Sequence, residues 1–174
     1  MSELYYALSL KQPWATLLVH GRKTIEVRRW PTARRGRILI HAARLSDPRP
    51  EAWALLPDNL REAAQLIGGI IGGGDLTDCI AYRSRQAFQA DQEHHLNNAS
   101  WFRGPVLYGF VFTNLSALPF RRYPGWMRFF PVKLDEPRAK RRGSDRAAAP
   151  EKRGRGRPAR LSSGGTGQLP FGDY

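Results

Sequence analysis

Lys23, Glu26 and Arg28 lie within six residues of one another, in the stretch GRKTIEVRRW that runs from 21 to 30. Seven of the 17 residues from 21 to 37 are Lys or Arg, and Glu26 is the only acid in that range. Clustered cations of this kind suit contacts with phosphates, which give affinity without sequence readout. Glu26 could orient Lys23 or Arg28, or it could accept a hydrogen bond from the amino group of a base.

The same stretch fits a β-strand, and the alternation of a strand leaves two placements open. Ile25 and Val27 share one face of the strand, and Thr24, Glu26 and Arg28 share the other. The polar face could point into water, as on an ordinary half-buried strand. It could equally line the interior of a barrel, because both placements look the same in sequence.

The elements around this stretch predict an α+β fold. Several short strands with helical insertions favour a small mixed β-barrel. The glycine-rich strand predicts bulges, a tight bend or the close approach of another backbone. Strands are predicted at 4–10, 23–30, 37–43, 67–78, 106–113 and 129–134, a helix at 13–20, and partly helical segments at 47–65 and 81–99.

The charge balance of the chain predicts an anionic partner. The 174 residues include 28 Lys and Arg against 15 acids, a formal net charge of +13. Such an excess is typical of proteins that bind nucleic acid, and we expect DNA or RNA as the partner. No stretch approaches 18 consecutive apolar residues, so no membrane span is expected.

The cysteine count and the first residues indicate the compartment. Cys79 is the only cysteine, which excludes an intramolecular disulfide and a cysteine-based metal cluster. The first residues lack the basic start and apolar run of a secretion signal. We therefore expect a cytoplasmic protein associated with the nucleoid, or a nuclear one in a eukaryote, with no metal and no cofactor.

The composition changes near 135 and predicts a disordered basic tail over 135–174. The net charge is +8 before this boundary and +5 after it. Residues 152–160 resemble an AT-hook, in which glycine lets an extended backbone lie in the minor groove while arginines enter its negative potential. A basic low-complexity linker, an RNA-binding Arg-Gly segment or a docking site for a protein partner are alternatives. The core of the motif is Arg155, Gly156, Arg157 and Pro158.

Several motifs in the first 134 residues together resemble the ASCH (ASC-1 homology) domain of the PUA-like superfamily. The combination is specific because the motifs occur in the order of the family, and it places an ASCH domain at 1–134. The matching segments are LSLKQPWA at 8–15, GRKTIEVR at 21–28, RGRILIHAA at 35–43, GGIIGGGDLTDC at 68–79 and WFRGPVLYGFVFTNLSALPF at 101–120.

The resemblance implies a small β-barrel with a cleft near the first helix and the GRKTIEVR strand. In this family the cleft is proposed to bind RNA, DNA or a nucleotide-like ligand. An exposed aromatic near its entrance would offer a stacking surface for an unpaired base, although ordinary core packing also fits a tryptophan. The residues that the resemblance places at the cleft are Gln12, Trp14, Lys23, Glu26, Arg28 and Trp101.

The same superfamily includes enzymes, which gives an alternative function. One small bacterial member resembles an amidohydrolase acting on N4-acetylcytidine through a Lys, a Thr and a distal Glu. Lys23 matches that lysine, but Glu26 stands where the threonine would be, so we favour binding over hydrolysis. A catalytic Lys23–Glu26 pair would need burial to lower the lysine pKa. Ribonuclease activity is also suggested for the family, and His41 or His20 could then act as a base.

Overall fold

The computed structural model describes residues 3–134 of the 174-residue chain. The strands in this range are β1 (Glu3–Leu10), β2 (Ile25–Arg28), β3 (Gly36–Ala42), β4 (Gly69–Tyr82), β5 (Leu107–Arg122) and β6 (Phe129–Leu134). The α-helices are α1 (Trp14–Val19), α2 (Pro50–Ala54), α3 (Arg85–Ala90) and α4 (Gln92–His95), and short 3-10 turns occur at Asp58–Leu60, Ala63–Gln65 and Ala99–Trp101. No helix among these residues is long and apolar enough to cross a membrane.

The strands form one mixed sheet in the order β2-β5-β4-β3-β1-β6. All neighbours are antiparallel except β1 and β3, which are parallel. A parallel pair needs a crossover connection, and α1 with β2 lies in the segment that links these two strands. The predicted mixed α+β fold is confirmed.

The two ends of the sheet face each other, although they share no backbone ladder. The guanidinium of Arg28 in β2 donates a hydrogen bond to the carbonyl of Ser9 in β1, 2.8 Å away. The ring of Phe110 in β5 stacks on Phe129 in β6 with centroids 5.9 Å apart. The edge of Trp30 packs against both of these rings. The sheet is therefore curled like a barrel, and side chains bridge its seam.

Helix α1 fills the inside of the curl. All six of its residues are buried, and Leu17 and Leu18 have no exposed surface. Burying a leucine side chain contributes about 1.5–3 kcal/mol, so this short helix is held by packing rather than by its own propensity. Gly72 in β4 makes the close approach possible, because a Cβ there would lie 2.5 Å from Val19 Cγ1.

The predicted elements are confirmed in kind and differ in length. The glycine-rich strand is present, and its pairing with β5 shifts register at three places, as expected of bulges. β5 continues to Arg122, nine residues past the predicted strand end, because the bulges let it follow the long β4. β2 is shorter than predicted and ends at Arg28, since Pro31 lacks a donor and restricts the preceding residue. The predicted tail and its 152–160 motif lie outside the described residues.

Candidate functional site

A cavity of about 970 Å³ lies at the seam of the curled sheet. Its walls come from the end of β1, from β2 and the residues after it, from Trp101 and from the segment before β6. Six of its lining residues are Lys or Arg and two are Glu or Asp. Four of the five tryptophans of the chain also line it. The site therefore combines positive charge with large aromatic surfaces.

A carboxylate held between two cations lies on the wall of this cavity. Glu26 Oε2 is 3.1 Å from Lys23 Nζ, and Glu26 Oε1 is 3.1 Å from Arg28 Nη2. The side chain of Glu26 is only 10% exposed, so both of its oxygens are fixed in position. β2 places Glu26 and Arg28 on one face, and this face points into the cavity rather than into bulk water.

Lys23 is one of the most buried charged groups among residues 3–134, with 2% of its surface exposed. Its ammonium donates to Glu26 and to the carbonyl of His95, 3.1 Å away, and lies 4.9 Å from the centroid of the Trp14 ring. The contacts with Glu26 and His95 use two of the three donors of the ammonium group. Burial lowers the pKa of Lys23, and the neighbouring carboxylate opposes that fall.

His95 supports the lysine through its backbone, and its own ring is locked. Its Nδ1 accepts a hydrogen bond from the backbone N–H of Asn97, 3.0 Å away. Its Nε2 must then carry the hydrogen, which it donates to the carbonyl of Phe88 at 2.7 Å. The ring also stacks on Phe88 with centroids 4.0 Å apart. Burial lowers the pKa of His95, so the neutral imidazole is the form that fits.

A second buried carboxylate, Asp47, organises one wall of the cavity. It accepts hydrogen bonds from Trp14 Nε1 at 2.8 Å and from Arg49 Nε at 2.9 Å. The Arg49 guanidinium beside it holds the pKa of the Asp47 carboxyl well below its usual range. Arg49 in turn lies 3.9 Å above the ring of Trp101, and the edge of Trp101 contacts Trp14. This wall is therefore a fixed stack of a cation and aromatic rings.

Another part of the cavity lining carries a similar pairing of a cation with aromatic rings. Trp30 packs edge-on against Phe110 and Phe129, and the guanidinium of Arg128 lies 5.3 Å from its centroid. Trp126, from the same segment as Arg128, is 57% exposed and also lines the cavity. The site thus presents aromatic surfaces from two separate groups of residues in its lining.

A family model described as the ASCH domain matches residues 8–134 of the sequence. The chain belongs to the ASCH domain family. The resemblance inferred from its motifs is confirmed, and the seam cavity is a feature of the ASCH fold in this chain.

Two curated ASCH relatives have similar sequences over part of their length. Activating signal cointegrator 1 of Homo sapiens is 34% identical over 91 residues, which are 45% of this chain and 15% of that protein. Activating signal cointegrator 1 of Mus musculus is 34% identical over 94 residues, which are 47% of this chain and 15% of that protein. The matched part of this chain thus spans about 15% of the length of these relatives.

Solved structures show the same fold. The crystal structure of ASCH from Zymomonas mobilis matches with a TM-score of 0.53 and 16% identity, covering 76% of this chain and 88% of that one. A mutant of the same protein matches with a TM-score of 0.52, also at 16% identity, covering 76% of this chain and 91% of that one.

The ASCH fold brings five of the predicted site residues together. Gln12 is the exception, because it is fully buried and does not line the cavity. Its amide nitrogen donates to the carbonyl of Leu66, and its amide oxygen accepts from the backbone N–H of Thr16. It therefore braces the start of α1. The five predicted residues that do line the cavity are Trp14, Lys23, Glu26, Arg28 and Trp101.

The histidines considered as bases do not themselves line the cavity. His41 is buried between Ser9 Oγ, 2.8 Å from its Nδ1, and the carbonyl of Tyr123, 2.9 Å from its Nε2. Burial lowers its pKa. His20 is exposed at the end of α1. Among residues 3–134, no group of three or more His, Cys, Asp or Glu side chains could hold a metal ion.

Sequence reasoning missed the residues that reach the site from distant segments. Asp47 and Arg49 follow β3, Trp30 follows β2, and Arg128 precedes β6. Trp30 belongs to the GRKTIEVRRW stretch, so its aromatic type next to clustered arginines was a usable signal. The carbonyl of His95 carries no side-chain signature, and only the fold reveals it.

Proposed function

We propose that the ASCH cavity binds an unpaired nucleotide of RNA or DNA, including a modified one. The observation that carries this proposal is the Glu26 carboxylate, fixed by Lys23 and Arg28 on the wall of a cationic cavity. A fixed carboxylate is a good acceptor for the exocyclic amino group of a base. Because Lys23 and Arg28 already hold this carboxylate in position, binding needs little reorganisation of the protein.

The composition of the walls supports the same ligand class. Stacking of a base on an aromatic side chain contributes about 1–3 kcal/mol per base and does not depend on sequence. Trp101 and Trp30 provide such surfaces in the same cavity as Glu26. The excess of Lys and Arg attracts the phosphates that accompany a nucleotide. The volume of the cavity, about 970 Å³, lies at the upper end of the usual range of about 300–1,000 Å³ for ligand pockets. It leaves room for a base with its sugar and phosphate.

Titration of intrinsic tryptophan fluorescence tests the proposal, because four tryptophans line the cavity. The titrants are the common ribonucleoside and deoxyribonucleoside monophosphates, N4-acetylcytidine monophosphate and short single-stranded oligonucleotides. Glu26→Gln should weaken binding of amino-bearing bases about tenfold, which corresponds to the loss of a charge-assisted hydrogen bond of about 1.4 kcal/mol. Trp101→Leu should weaken the binding of every base by a similar factor, because it removes a stacking surface.

A matched control isolates the role of Glu26. Glu62→Gln removes the same charge from an exposed position that does not line the cavity. It should leave every affinity within about twofold of wild type, since surface changes away from a site have small effects. Equal behaviour of the two glutamine variants, or no fluorescence response to any titrant, would contradict the proposal.

For the tail, we propose a minor-groove contact by the AT-hook-like segment, which would tether the ASCH domain to duplex DNA. Two weak sites on one chain gain apparent affinity through effective concentration rather than through new contacts. Deleting 150–160 should weaken binding to A·T-rich duplexes and reduce the slope of log K against log salt. A control deletion of the equally long, uncharged stretch 162–172 should not do so. An unchanged slope after deletion of 150–160 would remove this part of the proposal.

Hydrolysis of N4-acetylcytidine or of RNA is the second candidate function. The burial of Lys23, which lowers its pKa, is the observation that favours it. The hydrogen bonds of Lys23 favour binding instead, because the amine would have to leave Glu26 and the His95 carbonyl to react. Incubation of wild type and Lys23→Ala with N4-acetylcytidine and with RNA decides between them. Product formed by wild type and lost in the variant would establish the hydrolase.

A further inference from the structure

A second cavity of about 570 Å³ opens beside the first, and two residues line both. We call it the flanking groove. The shared residues are Trp30 and Arg128, so a ligand that leaves the seam cavity across the Trp30 ring enters the groove directly. The other side chains of the groove include Pro31, Thr32, Arg34 and Phe129.

The groove is positively charged and partly free of internal ion pairs. Its lining contains three arginines and no acid. Arg35 pairs with Asp78 at 3.1 Å. Within residues 3–134, Arg34 and Arg128 form no ion pair. Two guanidinium groups are therefore available to an external anion in a pocket next to the proposed base site.

The free arginines are also held in place before any ligand binds. The guanidinium of Arg34 lies 3.6 Å above the ring of Tyr6. Arg35 donates to the carbonyls of Thr32 and Arg34, which fixes the loop between β2 and β3. The hydroxyl oxygen of Thr32 accepts from the backbone N–H of Arg34, which leaves its hydrogen for another acceptor. Cations fixed on aromatic rings lose little entropy when an anion binds.

We infer that the flanking groove binds the backbone phosphate next to the nucleotide whose base occupies the seam cavity. This inference rests on the proposed function and narrows its ligand class. The ligand is then a single strand of at least two nucleotides rather than a free nucleoside or mononucleotide. An unpaired strand fits because only a base out of a duplex can reach the buried Glu26 carboxylate.

The test compares ligands of different length on variants of the groove. The probes are a fluorescently labelled single-stranded pentanucleotide of RNA, its DNA counterpart, and an unlabelled nucleoside monophosphate. The groove variant Arg34→Gln, which changes a residue that lines the groove and not the seam cavity, should weaken pentanucleotide binding about tenfold and lower its salt slope by about 0.7, the value for one single-strand phosphate. Binding of the monophosphate should stay within about twofold of wild type, because its base and phosphate remain in the seam cavity, which Arg34 does not line.

Arg61→Gln is the control, since it removes an exposed arginine that lines neither cavity. If the groove variant matches this control in pentanucleotide affinity and salt slope while Glu26→Gln still weakens binding, the groove inference is overturned and the cavity proposal stands. If the groove variant weakens pentanucleotide binding and Glu26→Gln does not, the groove inference is supported and the proposed base site is wrong. If the wild type binds none of the three probes, the groove inference and the cavity proposal are both overturned.

Discussion

Lys23 Nζ lies 3.1 Å from Glu26 Oε2, and the lysine has 2% of its surface exposed. Taking two charges out of water is costly, and their attraction repays this only when further hydrogen bonds satisfy them. The His95 carbonyl and Arg28 provide those bonds here. The pair therefore specifies the geometry of the site more than it adds to stability.

Removing one partner should show this coupling. Lys23→Met should destabilise the protein by about 3–5 kcal/mol, because it leaves a buried carboxylate with a single cation. Lys23→Met/Glu26→Gln should cost less than the sum of the two single changes. Chemical denaturation of the four proteins in this cycle measures the interaction, and strict additivity would show that the two groups act independently.

The lowered pKa of the Asp47 carboxyl predicts that the protein loses stability in acid. This pKa is lowered in the folded state, so the contribution of the carboxyl is present above the unfolded value of about 3.9 and is lost as pH falls below it. Asp47→Asn should reduce the free energy of unfolding at pH 7 by about 2 kcal/mol through weaker bonds to Arg49 and Trp14. The difference from wild type should shrink between pH 4 and pH 2, as measured by denaturation at each pH. A constant difference across this range would contradict the account.

The two buried histidines predict a second pH effect at milder acidity. Burial lowers the pKa of His41 and of His95, so the unfolded chain binds more protons than the folded one below about pH 6.5. Stability should therefore fall from pH 7 to pH 5. The groups near His95 are Lys23, Asp91 and His94, and Arg44 acts on His41. His95→Gln keeps a donor and an acceptor, so it should flatten the slope, whereas the exposed His20→Gln should not.

A side chain added at Gly125 should disturb both the buried His41 and the segment that carries a residue of the flanking groove. A Cβ at this position would contact the His41 ring and lie 2.9 Å from its Nδ1. The ring cannot move away because Ser9 and the Tyr123 carbonyl hold both nitrogens. Gly125→Ala should cost about 1–3 kcal/mol. Since this segment also carries Arg128, single-strand binding should weaken as well.

A second change tests the cause of that effect. In a His41→Ala background the added methyl group has room, so Gly125→Ala should cost much less there. Thermal unfolding of the four proteins measures the coupling. Equal costs in both backgrounds would place the strain elsewhere.

Much of the fold was predictable because local patterns and tertiary packing agree. The glycine-rich run gave bulges and a close approach to α1, and the short apolar runs became strands. β5 exceeded its prediction, since its second half is mostly exposed and is held by pairing with the first part of β4, across shifts in register. Propensity cannot reveal such a non-local pairing.

The site was predictable where side chains repeat at strand spacing and where the family motifs name a residue. Glu26 and Arg28 follow the alternation of β2, but whether their face met water or a cavity depended on the curl of the sheet. Gln12 was assigned to the cleft from its neighbours in the motif, and the fold turns its amide inward to Leu66 and Thr16 instead.

The seam between the two ends of the sheet has one more consequence. Side chains such as Arg28 and Trp30 close it, and no ladder of backbone hydrogen bonds crosses it. Separating the ends therefore breaks side-chain contacts but no backbone ladder, while opening a junction between neighbouring strands breaks paired amides. Amide hydrogen exchange should begin along the free edge of β2, and the same breathing motion would admit a base to the carboxylate behind it.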